Sequence, residues 1–134
     1  MRETGSCTIA IYGDELDFCE IEEKFSIKAT RKIKKGEISS KVIGPTPQDA
    51  YIVERKFDKL VLIDKVISEM LSQMEKIQLV RELSQKYSLK CRCFVQSDFA
   101  QVCIDFSPET LAQLSQRGIK LEIAILSWGG VLDE

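Results

Sequence analysis

From Cys7 to Tyr12 the larger apolar side chains fall at Cys7, Ile9 and Ile11, with Thr8, Ala10 and Tyr12 between them. That two-residue period predicts a first strand with one buried face. Leu16-Asp17-Phe18-Cys19-Glu20-Ile21 then reads as a helix start. Asp17 is placed to accept from the N3 amide, Glu20 to reach back to the cap, and Leu16 to staple onto Ile21. Phe18, Ile21 and Phe25 form the predicted buried stripe. Between Ser26 and Phe57 the pattern is broken by Gly36 and by Gly44-Pro45-Thr46-Pro47, leaving β-type runs at Ile27–Ile33 and Ala50–Phe57.

Residues 58–87 carry apolar side chains at three- and four-residue spacing: Leu60, Ile63, Ile67, Met70, Leu71 and Met74, then Ile77, Val80, Leu83 and Tyr87. This predicts a helix pair, or one helix broken near Ser72–Glu75. Leu89–Val95 and Gln101–Phe106 flank a short polar turn and read as a β-hairpin, with Cys93 facing Ile104 and Arg92 opposite Asp105 as a cross-strand charge pair. Ser107-Pro108-Glu109 supplies an N-cap with proline at the first helical position, Gly118 a stop, and Ile119–Leu126 a last strand. The order is β-α-β-β-α(α)-β-β-α-β. It predicts a single α+β domain over residues 1–134, with a mostly antiparallel sheet of about six strands and helices on one face. A ferredoxin-like β-α-β-β-α-β core is extended by a β-α-β unit.

A chain of 134 residues is long enough for one core that buries roughly two thirds of the unfolded surface. No stretch has the run of apolar residues that a membrane helix needs, so no membrane association is expected, and a cytoplasmic location is the default. Net charge is −2 with basic and acidic residues interleaved, which argues against bulk nucleic-acid binding. Five cysteines, Cys7, Cys19, Cys91, Cys93 and Cys103, lack disulfide-framework spacing and read as reduced thiols. The chain has no histidine, which excludes Ser-His and Cys-His nucleophile pairs and every imidazole metal site.

Cys91 and Cys93 project from one face of a strand, but two thiols do not complete a zinc site, so they read as core residues. Asp14, Glu15 and Asp17 could hold a cation, yet they are also what a turn and a helix cap require. Lys28, Arg31, Lys32, Lys34 and Lys35 form a local basic run, without interleaved aromatic residues for base stacking, and read as a solvated edge. Trp128, before Gly129-Gly130, is either a core cap or an exposed partner anchor. No nucleotide, acyl-transfer or zincin motif is present. No cofactor, metal site or catalytic residue is assigned.

The run Tyr12-Gly13-Asp14-Glu15-Leu16-Asp17, then Ile27-Lys28-Ala29-Thr30 and Lys34-Lys35-Gly36, resembles the opening of a bacterial family known as domain of unknown function 4279. The likeness extends over nearly the whole chain, with Phe18 standing where proline is expected. The resemblance implies a bacterial source and a single α+β domain, and carries over no catalytic residue.

The expectation is therefore a non-enzymatic protein-interaction module, immunity or antitoxin-like, that uses the exposed side of its sheet. The candidate interaction residues are Trp128, Arg92, Asp105, Lys32, Lys34 and Lys35. A ferredoxin-like small-molecule sensor is the alternative, RNA binding through Lys28–Lys35 a third, and pairing of an edge strand into a homodimer is open.

Overall fold

The computed structural model describes residues 3–40, 44–45, 47–98 and 101–127. Along the chain run β1 (Glu3–Gly13), α1 (Phe18–Phe25), β2 (Arg31–Ile33), β3 (Ile38–Ser40), β4 (Gly44–Pro45) and β5 (Asp49–Phe57). A 3-10 turn at Leu60–Leu62 leads into α2 (Ile63–Gln73), followed by α3 (Ile77–Lys86), β6 (Ser88–Ser97), α4 (Pro108–Gln116) and β7 (Lys120–Ser127). No helix among these residues is long and apolar enough to cross a membrane.

The main sheet has five strands in the order β2-β5-β1-β6-β7, and β3 pairs with β4 in a separate two-stranded ladder. β1 pairs antiparallel with both β5 and β6, β2 antiparallel with β5, and β7 parallel with β6. The sheet is thus mixed and five-stranded, where a mostly antiparallel sheet of about six strands was expected.

The difference lies in the expected hairpin. Both edges of β6 are occupied, by β1 and by β7, so residues 101–106 have no place in the ladder. They run in alternation all the same: Val102, Ile104 and Phe106 pack against the core while Gln101, Cys103 and Asp105 are exposed. A period of two reports one packed face, not a hydrogen-bonded partner, so the sequence pattern was right and the pairing inferred from it was not. The Arg92–Asp105 pair and the Cys93–Ile104 register are overturned with it. The return to a parallel β7 needs a crossover, and α4 supplies it.

Odd-numbered residues of β1, β5 and β6 face the helices. Ile9, Ile11, Tyr51, Val53, Leu89 and Val95 join Ile21 and Phe25 of α1, Ile67 and Leu71 of α2, Val80 and Leu83 of α3, and Leu114 of α4 in one core. Each fully buried aliphatic side chain contributes roughly 1.5–3 kcal/mol. Asp17 caps α1, its carboxylate accepting from the Glu20 amide at 3.1 Å. Glu20 does not reach back; it pairs with Lys24 at 3.1 Å and Lys86 at 3.4 Å, tying α1 to α3. The predicted break between helices falls at Met74–Lys76. Ser107 caps α4, and Gly118 at φ 71° ends it, with the Ile119 amide on the Leu114 carbonyl and the Gly118 amide on that of Ser115. That pair of bonds is a Schellman stop, which needs a left-handed residue at this point.

Candidate binding face

All four helices contribute to the core on one side of the sheet, so the even-numbered residues of β1, β5, β6 and β7 form an open face. The registers set its rows. Glu54, Thr8, Arg92 and Glu122 lie side by side across four strands; one row along, Arg31, Ile52, Ala10, Lys90 and Lys120 do the same. Ser6 sits between Lys56 and Phe94, and Tyr12 between Ala50 and Ser88.

The centre strand therefore presents Ser6, Thr8 and Ala10, while its neighbours present longer side chains. Between those walls lies a furrow of about 360 Å³, lined at its polar centre by Thr8, Glu54 and Arg92 and at its ends by Tyr12 and Phe94. Phe94 is 37% exposed, whereas Ala10, Ile33, Ala50 and Ile52 make a small buried cluster under Tyr12. Glu122 draws Lys90 and Arg92 together, each at 3.1 Å. These pairs are exposed and contribute about 0–1 kcal/mol each, so they orient side chains more than they stabilise the fold. Among the described residues Arg31 has no ion-pair partner, and neither has the Glu54 carboxylate. The rows carry Arg31, Lys56, Lys90, Arg92 and Lys120 against Glu54 and Glu122, a cationic excess in a chain whose net charge is −2.

The other predicted site residues are dispersed. Asp105 is exposed beside Cys103, Leu60 and Val61, away from Arg92. The basic run does not form one patch. Arg31 turns to the furrow; Lys32 pairs with Glu22 at 3.1 Å; Lys34 lies 4.6 Å from the centre of the Phe18 ring. The Lys35 amide donates to Asp49 at 2.6 Å. Asp49 also accepts from the Leu16 amide at 3.0 Å, and these two backbone bonds, foremost that of Leu16, hold its carboxyl below the usual range. Asp17 is committed to its helix cap, while Asp14 and Glu15 are exposed. Trp128 lies outside the described residues.

Strand pairing also assembles thiols that sequence spacing did not. Cys7 lies directly opposite Cys93, and Cys91 is two positions away on the same face; all three are fully buried. Hydrogen bonding to Cys93, then burial, pushes Cys7 and Cys91 above the usual thiol range, while the bonds from both neighbours pull Cys93 below it. Cys19 and Cys103 are exposed. Among the described residues no group of three or more His, Cys, Asp or Glu side chains is arranged to hold a metal ion.

The residues that sequence reasoning missed are Ser6, Thr8, Tyr12, Ile52, Glu54 and Phe94. Their signal was the alternation of short side chains in β1 with charged ones in β5 and β6, which acquires meaning only once those strands are neighbours.

Fold and face together define a small α+β domain with one mixed sheet, covered by helices on one side and open on the other. The chain belongs to the family described as Domain of unknown function (DUF4279), whose model matches residues 2–128. This bears out the likeness carried by the Tyr12–Asp17 run and the segments after it. No curated protein and no solved structure matches the chain.

Proposed function

We propose that this domain is a non-enzymatic protein-interaction module, of the immunity or antitoxin kind, which covers its partner with the open face of the sheet. The observation that carries the reading is the division of the sheet. One face is filled by helices, and the other holds a furrow walled by a cationic excess on an acidic chain. Charge segregated in this way steers an oppositely charged partner and fixes its orientation. The absence of histidine from the sequence, which removes the commonest general base, supports a binding role over a catalytic one.

We read the four strands β2-β5-β1-β6 as a ferredoxin-like core, a reading supported by their order and mutual directions. Self-association through β7 is a second reading with its own support. Among the described residues its outer edge pairs with no strand, and Ile123, Ile125 and Leu126 are 39–49% exposed. Long apolar edges of this kind pair readily.

Native mass spectrometry of protein gently purified from its own host tests the proposal. A second protein at fixed stoichiometry is expected, and it should be lost in Thr8→Trp, which fills the furrow. A chain repeatedly recovered alone, or with a small molecule in place of a protein, refutes it.

A further inference from the structure

We propose that the furrow over β1 is the seat of an extended acidic segment of the partner protein; this rests on the open face being the binding surface. Shape comes first. The walls are β5 and β6, two strand spacings apart, which is about 9.5 Å between backbones before their side chains narrow the gap. An α-helix with its side chains is about 10–12 Å across and does not enter such a slot. An extended chain does, and Ser6 and Thr8 offer it a floor that ends at Tyr12, which packs over the buried Ala10.

Charge then selects the occupant. Arg31 reaches the furrow from β2, just outside the β5 wall, without an ion-pair partner among the described residues, and Arg92 stands on the β6 wall, held by Glu122 through its Nε. The two belong to adjacent rows, one two-residue step apart along β1. Carboxylates on a segment lying between them meet a guanidinium on either side, the charge-assisted geometry that arginine favours. Glu54 stands in the same furrow, its carboxylate without an ion-pair partner among the described residues. A peptide meets it with a hydroxyl or a backbone amide, whereas the unbroken phosphates of a nucleic-acid strand meet it with repulsion. The occupant is thus an acidic peptide with polar residues between its carboxylates.

Titration of the ¹⁵N-labelled chain with a twelve-residue peptide of alternating glutamate and serine tests this, beside a lysine-serine peptide and an oligouridylate of equal charge. The acidic peptide is expected to shift the amides of Thr8, Ile52 and Arg92, and to lose affinity at least tenfold in Arg31→Glu and with rising salt. An unchanged melting temperature of that variant shows that the fold is intact. Absence of shifts, equal shifts with the lysine peptide, or tighter binding of the oligouridylate to these residues overturns the proposal. A host partner lost in Thr8→Trp but retained in Arg31→Glu also overturns it while leaving the open face as the binding surface. A partner retained in both removes the face itself.

Discussion

Tyr51→Phe removes one oxygen from the centre of the molecule. The side chain is fully buried, its ring stands edge-on to Phe25 at 5.8 Å, and its hydroxyl donates to the Ile27 carbonyl just beyond the left-handed cap of α1 at Ser26. Phenylalanine keeps the ring and its contacts but leaves that carbonyl without this donor. Leaving a buried acceptor unsatisfied costs about 1–3 kcal/mol. For a domain of this size that lowers the melting temperature by roughly 3–10 °C.

The same hydroxyl predicts a second signature. Burial, and after it the charge of Glu22, pushes Tyr51 up to about 12. The unfolded chain, with an ordinary tyrosine near 10, therefore gives up its proton first. Between about pH 10 and 12 the native state binds more protons than the unfolded one, so stability falls as pH rises through this window. Urea denaturation followed by circular dichroism at pH 7, 10 and 11 should show wild type ahead of Tyr51→Phe at neutral pH and the gap narrowing above pH 10. Equal midpoints at pH 7, or a gap independent of alkaline pH, would refute the reasoning.

Other consequences follow from single contacts. A Cβ at Gly5 would lie 1.9 Å from the Phe94 carbonyl oxygen and 2.8 Å from the Phe57 ring, so Gly5→Ala must part β1 from β6. A loss of about 2 kcal/mol or more in chemical denaturation is expected, within the usual range for overpacking. Asp49 is held ionised by the Leu16 and Lys35 amides, so its contribution is complete above the ordinary aspartate pKa and is lost as pH falls through its depressed native value. The urea midpoint of wild type should exceed that of Asp49→Asn at pH 6, with the difference shrinking towards pH 3; a constant difference contradicts this. In native protein a thiol reagent should modify Cys19 and Cys103 quickly and Cys7, Cys91 and Cys93 only on unfolding. Rapid modification of all five would mean that the core around β1 and β6 opens readily.

Where local chemistry decides structure, the sequence was a reliable guide. The alternation at Cys7–Tyr12, the Asp17 and Ser107 caps, the helix break at Met74 and the Gly118 stop each depend on neighbours a few residues apart. Strand pairing depends on competition between distant segments. Residues 101–106 had a strand's pattern and a plausible partner in β6, but β7 takes that edge as a parallel neighbour after α4. With the partner exchanged, Arg92 meets Glu122 in place of Asp105. The furrow was hidden for the same reason, since Thr8, Glu54 and Arg92 are far apart in sequence and share a row only because β1 separates β5 from β6. The basic run was visible as a cluster of letters, but alternation and local pairing send Arg31, Lys32 and Lys34 to different surroundings.

Lysine acylation of the native complex, read by mass spectrometry against the free chain, tests the binding surface most directly. If the partner covers the open face, Lys56, Lys90 and Lys120 become protected while Lys59 and Lys65, beside and on α2, label as before. Protection confined to Lys59 and Lys65, with the open-face lysines unchanged, would contradict the account and place the partner on the helices.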